Sequence, residues 1–461
     1  MYIEQLYTDC LAEAAYYIES AGEAVIIDPM RETKPYLDLA KKRNAKIKYV
    51  LETHFHADFV SGHLDISRVS GATIVFGPEA KPDYAAHIAR DGEEIFFGKL
   101  TIKVLHTPGH TPESSCYLLL DENKQPYALF SGDTLFVGEV GRPDLAVKST
   151  LSKEDLAAML YDSLHTKIKM LPDAVILYPA HGAGSSCGKN IGKESYSTIG
   201  LQKQLNYALQ DMSKEEFVRI VLDGLAKPPA YFFIDASINK KGYERIEDVI
   251  SRNTQAISVA TFEKELTADC ILLDTREPDV FEKGYIPGSI NIGLNGQYAQ
   301  WVGALLDHEK KIMLVTEIGK EHEAVLRLAR VGYEKVRGYL DGGIQAWKNA
   351  GKRLEVVEGI DPIPFASSDY ETLRILDVRN PAEWESGIIK GATLISLPEL
   401  NAKLDKLDKQ AHYYVHCAGG YRSMMAASLL KKNGFQQVTN VRGGINKLKA
   451  CGIMLTSAVL K

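Results

Sequence analysis

The second half of the chain contains an internal repeat with an offset of about 100 residues. Each unit alternates β-rich runs with helical runs, at a spacing that is typical of a parallel sheet. The repeat therefore limits this half of the chain to two copies of one small α/β domain. The matching segments are Ile271–Pro278 with Ile375–Pro381, Gly284–Ser289 with Gly387–Ala392, Ile312–Glu317 with His412–Cys417, and Gly342–Ile344 with Gly443–Ile445.

Length and charge exclude several classes of protein. A chain of 461 residues is too long for one hydrophobic core. The net charge of −6, without a dense Lys/Arg cluster, argues against nucleic acid and a membrane surface as partners. No apolar run approaches the roughly 18 residues of a transmembrane helix. The N-terminus lacks a basic signal region and the six cysteines form no CxxC pair, so we expect a cytoplasmic protein.

The first half predicts one larger, β-rich domain. We therefore expect three domains, at residues 1–255, 256–358 and 362–461, with a linker at Ile360–Pro364. Short apolar runs predict strands at 24–29, 47–51, 73–76, 100–105, 116–120, 127–130 and 175–178, and helical patterns cover 34–43 and 213–227.

Residue types that bind metals follow four of the predicted strands. The first segment, Thr53–Phe59, places His54 and His56 two positions apart, where a strand would point both side chains to one face. A single histidine at a strand end is more often a hydrogen-bonded core residue. Four such segments in one domain predict a metal site instead. The other three are His106–Thr111, Ser131–Thr134 and Tyr178–Gly182.

These four motifs resemble the persulfide dioxygenase branch of the metallo-β-lactamase-like family, and in particular its fusions with rhodanese domains. The resemblance implies a metallo-β-lactamase-like αββα sandwich followed by two rhodanese-like parallel-sheet domains. It also implies one Fe(II) per chain, bound by His54, His110 and Asp133. The positions that complete metal sites in dinuclear hydrolase relatives are expected beside the metal or the substrate; they are His56, Asp58 and His181.

Phe59 stands where the His-x-His-x-Asp-His pattern has its last histidine. A second metal would therefore have only Asp58, His181 and a shared Asp133 as ligands, so we predict a single metal. Two imidazoles and one carboxylate leave three coordination positions open, as in non-haem Fe(II) oxygenases. Those positions suit a persulfide sulfur together with dioxygen.

Three further residues are candidates for the same site. In the family the arginine that corresponds to Arg142 lies near the thiol substrate, although a structural pair with Asp144 is an equal alternative. Tyr178 is a weaker candidate for the substrate pocket. Cys187 is expected on a flexible loop, either as an auxiliary thiol that relays sulfur or without a role. The other four cysteines are interpreted as packing residues.

The last copy of the repeat contains Cys417-Ala418-Gly419-Gly420-Tyr421-Arg422 before a helical run. This segment resembles the active-site loop of rhodanese sulfurtransferases. Glycines allow backbone N–H groups to point at the sulfur, and a helix N-terminus together with Arg422 adds positive potential. We therefore predict that Cys417 accepts sulfur and that Arg422 assists it. In the first copy Glu317 and His322 occupy these two positions, which predicts a copy without catalytic activity.

The resemblance implies a function in sulfide and persulfide detoxification. A low-molecular-weight persulfide and dioxygen would give sulfite, and Cys417 would then transfer sulfur to sulfite to form thiosulfate. Two alternatives stay open: a glyoxalase-II-type thioester hydrolase with two metals, and a persulfide carrier or sensor. Relatives favour a homo-oligomer. The sequence does not identify the thiol that carries the persulfide, the role of the first copy, or whether Cys417 reaches the iron.

Overall fold

A computed structural model describes residues 1–147, 150–225 and 227–457. It divides into two units, the first Met1–Val249 with Leu328–Tyr333 and the second Ile250–Arg327 with Glu334–Lys461. Within the described ranges, every helix is too short or too polar to cross a membrane.

The first unit contains two six-stranded sheets. In spatial order, the first sheet consists of Tyr2–Thr8, Glu13–Ser20, Glu23–Ile27, Lys46–Glu52, Thr73–Phe76 and His87–Ile88. The second sheet consists of Ser197–Thr198, Ile176–Pro179, Pro126–Gly132, Ser115–Leu120, Leu100–His106 and Glu94–Phe97. Parallel pairing occurs between Glu23–Ile27 and Lys46–Glu52 and between Pro126–Gly132 and Ile176–Pro179. The carboxyl ends of these strands carry the candidate ligands.

The main core of the first unit lies between the two sheets, where Tyr16, Val25 and Leu51 of one sheet pack with Tyr117 and Phe130 of the other. Helices cover both outer faces, which gives an αββα sandwich. The helices of this unit are Lys34–Arg43, His63–Ser70, Lys153–Ser163, Ile199–Leu205, Lys214–Leu222 and Tyr231–Lys241, with a π-helix at Leu164–Ile168 and a 3₁₀ turn at Tyr207–Leu209. A further helix, Ile246–Asn253, runs across the boundary between the units.

The second unit contains two five-stranded sheets with parallel neighbours, one from each copy of the repeat. The first copy orders its strands as Ala256–Ile257, Val336–Leu340, Lys311–Val315, Cys270–Asp274 and Ile290–Asn291. The second copy orders them as Glu358–Ile360, Gln437–Val441, His412–His416, Arg374–Asp377 and Thr393–Leu394. Numbered along each copy, both orders read 1-5-4-2-3, so the predicted repeat and fold class are confirmed.

Helices connect the strands of both copies. Those of the first copy are Val259–Glu265, Pro278–Glu282, Tyr298–Leu305, Glu321–Ala329 and Gly343–Asn349. Those of the second are Pro362–Ala366, Pro381–Trp384, Tyr421–Lys432 and Gly444–Ala450, with 3₁₀ turns at Tyr370–Thr372, Leu397–Glu399 and Asn401–Lys406. Ile388–Ile389 and Leu455–Thr456 form a separate two-stranded sheet.

One local expectation was wrong. The strand before the first histidine motif ends at Glu52, so His54 and His56 lie in an irregular loop and not in a strand. The alternation of side chains in a strand therefore does not apply to them. As described below, the two rings turn toward different groups.

Candidate metal centre and sulfur-transfer loop

His54, His110 and Asp133 form one buried group in the first unit. Asp133 directly follows strand Pro126–Gly132, and His110 lies in the loop between two antiparallel strands. The Oδ2 atom of Asp133 lies 3.9 Å from His54 Nε2 and 3.4 Å from His110 Nε2. Gly141 makes room for this arrangement, because a Cβ there would lie 1.9 Å from the Asp133 carbonyl oxygen.

The facing atoms of this group have no hydrogen-bond partner among the described residues. They are the Nε2 atoms of His54 and His110 and the Oδ2 atom of Asp133, and each residue is at most 2% exposed. Buried polar atoms without partners are costly, and a cation between these three would satisfy all of them. Two neutral imidazoles and one carboxylate fit a single ferrous ion.

Hydrogen bonds on the far side of each ring fix the tautomers of both histidines. His54 Nδ1 lies 2.9 Å from Thr53 Oγ1, which donates to Asp28 Oδ2 at 2.8 Å. His110 Nδ1 donates to the carbonyl oxygen of Arg142 at 2.9 Å. With Nδ1 protonated, each Nε2 atom keeps its lone pair for a metal.

His181 lies between two carboxylates and uses both ring nitrogens to contact them. Its Nδ1 is 2.8 Å from Asp133 Oδ1 and its Nε2 is 2.9 Å from Asp58 Oδ2. Burial alone would lower the pKa of His181, but Asp133 and Asp58 raise it well above its ordinary value. For Asp133 the effects are reversed. Burial alone would raise the pKa of this carboxyl group, but His181 and His110 hold that pKa below its usual range.

His56 turns away from this group. Its Nε2 lies 3.0 Å from Asp28 Oδ1 and 3.7 Å from Glu52 Oε2, and its ring packs on Phe59 with centroids 4.4 Å apart. Phe59 is fully buried. His54 and His56 therefore face different carboxylates, although their ring centroids lie only 4.2 Å apart.

Cys187 lies in the loop after His181, as expected, and its side chain is buried. It is 1% exposed and its sulfur belongs to a buried group with Asp58 and His181. Burial, and then Asp58 and Asp133, raise the pKa of the Cys187 thiol well above its ordinary value. The sequence did not reveal this position because burial of the loop depends on tertiary packing.

Arg142 and Tyr178 both have structural contacts. The Arg142 guanidinium forms a bidentate pair with Asp144 at 2.7 and 2.8 Å, the alternative that the sequence left open. Its main-chain carbonyl orients His110. The Tyr178 ring stacks on Phe130 at 5.3 Å, within the aromatic core. A substrate role for either side chain stays a prediction.

Asn239 and Asp28 complete the site, and sequence reasoning missed both. Asn239, in helix Tyr231–Lys241, donates to the carbonyl oxygens of His56 and Phe59 at 2.8 and 2.7 Å and accepts from Ser61 N. Nothing near Asn239 in the sequence signals this contact. Asp28 has a φ of 49°, an unusual backbone conformation for a residue with a side chain, and its position at a strand end was the available signal.

The second site surrounds Cys417, which follows strand His412–His416 and is 1% exposed. Gly420 has a φ of 105° and donates its N–H to Cys417 Sγ at 3.1 Å. Helix Tyr421–Lys432 begins at the next residue, so its N-terminus lies at the sulfur. Gly444 is required on the other side, because a Cβ there would lie 2.3 Å from the Cys417 carbonyl oxygen.

Arg422 pairs with Glu383, a contact that the sequence did not reveal. The two N–H···O distances are 2.6 and 2.8 Å, which makes a bidentate pair. In the first copy, alignment of the repeat places Val280 at the Glu383 position and His322 at the Arg422 position. Both members of the pair are therefore replaced together.

Comparisons with known proteins agree with this architecture. The family described as "Metallo-beta-lactamase superfamily" matches residues 8–181, and the family described as "Rhodanese-like domain" matches 258–350 and 366–451. The chain is 33% identical to the human protein "Persulfide dioxygenase ETHE1, mitochondrial" over 201 residues, which is 43% of this chain and 71% of that protein.

Two further similarities are informative. A "Probable hydroxyacylglutathione hydrolase" of Schizosaccharomyces pombe is 30% identical over 166 residues, covering 35% of this chain and 60% of that protein. A crystal structure of a metallo-beta-lactamase from Staphylococcus aureus superposes with a TM-score of 0.66 at 32% identity, covering 74% of this chain and 98% of that one. The chain therefore belongs to the persulfide dioxygenase family of the metallo-beta-lactamase superfamily, in an architecture with two rhodanese-like domains.

Proposed function

We propose that this chain is an iron-dependent persulfide dioxygenase joined to a sulfurtransferase. The observation that carries the proposal is the set of three buried atoms without partners on His54, His110 and Asp133. They converge on one cation position, whereas in the second group, Asp58, His181 and Cys187, the ring nitrogens of His181 are already hydrogen-bonded to Asp58 and Asp133. One metal per chain follows from that difference.

The proposed oxidation converts a low-molecular-weight persulfide, dioxygen and water into a thiol and sulfite. A ferrous ion bound by His54, His110 and Asp133 would supply the redox chemistry that lets dioxygen react with the outer sulfur. Thr53 and the Arg142 carbonyl hold the two imidazoles in the required tautomers. His181 holds a proton between Asp58 and Asp133.

The proposed transfer takes place at Cys417. Its sulfur attacks the outer sulfur of a second persulfide, the S–S bond breaks, and the thiol leaves with a proton. Sulfite then attacks the sulfur carried by Cys417, which releases thiosulfate and restores the thiolate. The Gly420 N–H and the helix N-terminus stabilise negative charge on the sulfur.

We assign oxidation to residues 1–255 and transfer to the second copy, which comprises residues 362–461 and the edge strand Glu358–Ile360 of the same sheet. We assign no sulfur chemistry to the first copy. A covalent connection raises the effective concentration of sulfite near its acceptor. All six cysteines remain thiols, which supports a reducing, cytoplasmic compartment. The physiological role that fits these reactions is removal of sulfide and persulfide.

Product analysis of Cys417→Ser tests the coupling of the two reactions. With glutathione persulfide, the variant is expected to consume oxygen at the wild-type rate and to release sulfite in place of thiosulfate. Cys451→Ser is the control, because Cys451 belongs to the same copy and is only partly buried. Unchanged thiosulfate output from Cys417→Ser would contradict the proposal.

The rival function is a thioester hydrolase with two metals, for which Asp58, His181 and Cys187 are the available second ligand group. About two zinc ions per chain and hydrolysis of a glutathione thioester would support that rival. A pure persulfide carrier is excluded if the chain consumes oxygen catalytically with an added persulfide.

A further inference from the structure

We infer that the first copy of the repeat positions the sulfur site of the second copy, through Glu282 and the loop at residues 291–297. The inference rests on the proposed sulfur transfer at Cys417. Both copies belong to one compact unit of the structure. The first copy thus keeps a role in catalysis although it has no cysteine at the Cys417 position.

Hydrogen bonds connect Glu282 of the first copy to the sulfur of Cys417. Glu282 is 5% exposed, and its Oε1 accepts from Asn440 Nδ2 at 3.4 Å. Because a carboxylate only accepts, it turns the Asn440 amide so that the oxygen faces the other way. That oxygen accepts from Ser423 Oγ at 2.8 Å, and Ser423 Oγ lies 3.7 Å from Cys417 Sγ.

Neighbouring residues hold the Glu282 carboxylate in position. Arg442 Nε donates to Glu282 Oε2 at 2.8 Å, and Arg442 also pairs with Asp361 at 3.0 Å. A Cβ at Gly359 would lie 2.2 Å from Glu282 Oε1, so the glycine leaves room for the carboxylate in its observed position. The equivalent residue of the second copy, Glu385, is exposed.

The 291–297 loop holds the helix Tyr421–Lys432 at two points. Tyr421 donates its hydroxyl to the carbonyl oxygen of Gly293 at 2.6 Å, and the N–H of Asn291 donates to Ser428 Oγ at 3.0 Å. These points are about two helical turns apart. The contact is tight, because a Cβ at Gly296 would lie 2.8 Å from the Tyr421 ring.

The first copy fixes this loop with its own side chains. Arg327 donates to the carbonyl oxygens of Leu294 and Gly296, the second at 2.8 Å. The Asn291 amide donates to the carbonyl oxygen of Arg276 at 2.8 Å. The loop is therefore a fixed support for Tyr421.

Tyr421 lies between two residues of the sulfur loop, Gly420 and Arg422. Gly420 before it donates an N–H to Cys417 Sγ, and Arg422 after it forms the pair with Glu383. A shift of the Tyr421 ring would move both neighbours. Tyr421 and Glu282 are thus positioning residues, which set the geometry of the sulfur site without touching the substrate.

The test uses the full chain without oxygen, so that only sulfur transfer from glutathione persulfide to added sulfite is measured. The variants are Glu282→Ala, Gly296→Ala and Tyr421→Phe. For the first two, kcat is expected to fall at least about five-fold while KM changes little, because displaced groups lose their alignment. Tyr421→Phe, which removes one hydroxyl, is expected to lower kcat about two-fold or more.

Matched controls separate positioning from general damage. Glu385→Ala removes the exposed equivalent of Glu282, and Gly284→Ala adds a Cβ that meets Leu354 at an ordinary 3.5 Å. Both controls, and oxygen uptake by all variants in air, are expected to match the wild type. Wild-type kcat in all three variants, or an equal fall in the controls, would overturn the inference. If the wild-type chain forms no thiosulfate, the proposed function fails instead.

If Glu282→Ala or Gly296→Ala does not fold, Tyr421→Phe decides the outcome. A wild-type kcat in Tyr421→Phe would then overturn the role of the loop.

Discussion

The two rhodanese-like copies share a strand order but not a sulfur site. Each copy retains a buried aspartate–arginine pair after its second strand, Asp274 with Arg276 in the first and Asp377 with Arg379 in the second. In both, the arginine also donates to the carbonyl oxygen of a glycine eight residues on. Those contacts stabilise the fold. They are present both in the copy that has the cysteine and in the copy that lacks it.

The differences that bear on sulfur chemistry lie around the Cys417 loop. The first copy has replaced the cysteine, the glycine that donates to the sulfur and the arginine, and it contacts helix Tyr421–Lys432 of the second copy. Within one chain, the rhodanese-like fold is thus retained in a copy that lacks the cysteine. The changed pairs, second copy first, are Cys417 with Glu317, Gly420 with Lys320, Arg422 with His322 and Glu383 with Val280.

The largest effect is expected when the cysteine is moved between copies. The double variant Cys417→Ser with Glu317→Cys should form thiosulfate at least about 10³-fold more slowly than the wild type, because the new cysteine lacks the glycine loop and the arginine. Thiosulfate formation from glutathione persulfide and sulfite is the measurement. Substantial recovery relative to Cys417→Ser alone would show that the first copy still provides a sulfur site.

A smaller fall in the rate of sulfur transfer is expected when Arg422 is replaced. Arg422→Lys keeps the charge but cannot form the bidentate pair with Glu383, so transfer should fall about 10- to 100-fold, equivalent to about 1.5–3 kcal/mol. His322→Ala is the matched change in the first copy and should leave the kcat for thiosulfate formation unaltered. Equal effects of both substitutions on kcat would contradict the proposed difference between the two copies.

The smallest expected effect is on the stability of the second unit and on the pH dependence of that stability. Burial alone would raise the pKa of Glu383, but the Arg422 pair lowers it below the usual glutamate value. The stabilisation is therefore present above the unfolded pKa of about 4.3 and is lost as pH falls through the lower folded pKa. Glu383→Gln should lower the urea midpoint of the second unit by about 0.1–0.3 M at pH 7, and by less near pH 3.

Glu385→Gln is the control for this measurement, because Glu385 is exposed and nearby in the sequence. A shift for Glu383→Gln that grows as the pH falls would contradict the assignment of the pair.

Local patterns predicted much of the architecture. Helix Lys34–Arg43 and strand Thr73–Phe76 have the predicted bounds, and the repeat predicted two copies of one fold. The ligand motifs stood out because they follow strands directly. The N-terminal strand pair Tyr2–Thr8 and Glu13–Ser20 was missed, since no turn signal with glycine or asparagine separates the two strands.

Contacts between distant segments could not be predicted. Asn239 forms a hydrogen bond with His56, which lies about 180 residues away along the chain. Glu282 and Asn440 are separated by a similar length of chain. Such pairs depend on the tertiary packing of helices, strands and loops. A single sequence contains no periodic pattern that predicts them. The burial of Cys187 belongs to the same class.

The proposed oxidation of a persulfide requires one iron per chain, bound by His54, His110 and Asp133. The direct measurement is anaerobic titration of the metal-free chain with Fe(II), with oxygen uptake on glutathione persulfide recorded at each step. We predict that uptake rises linearly and reaches its plateau at one iron per chain, and that Asp133→Ala shows none. A plateau at two metals per chain, or full activity with zinc, would contradict the account.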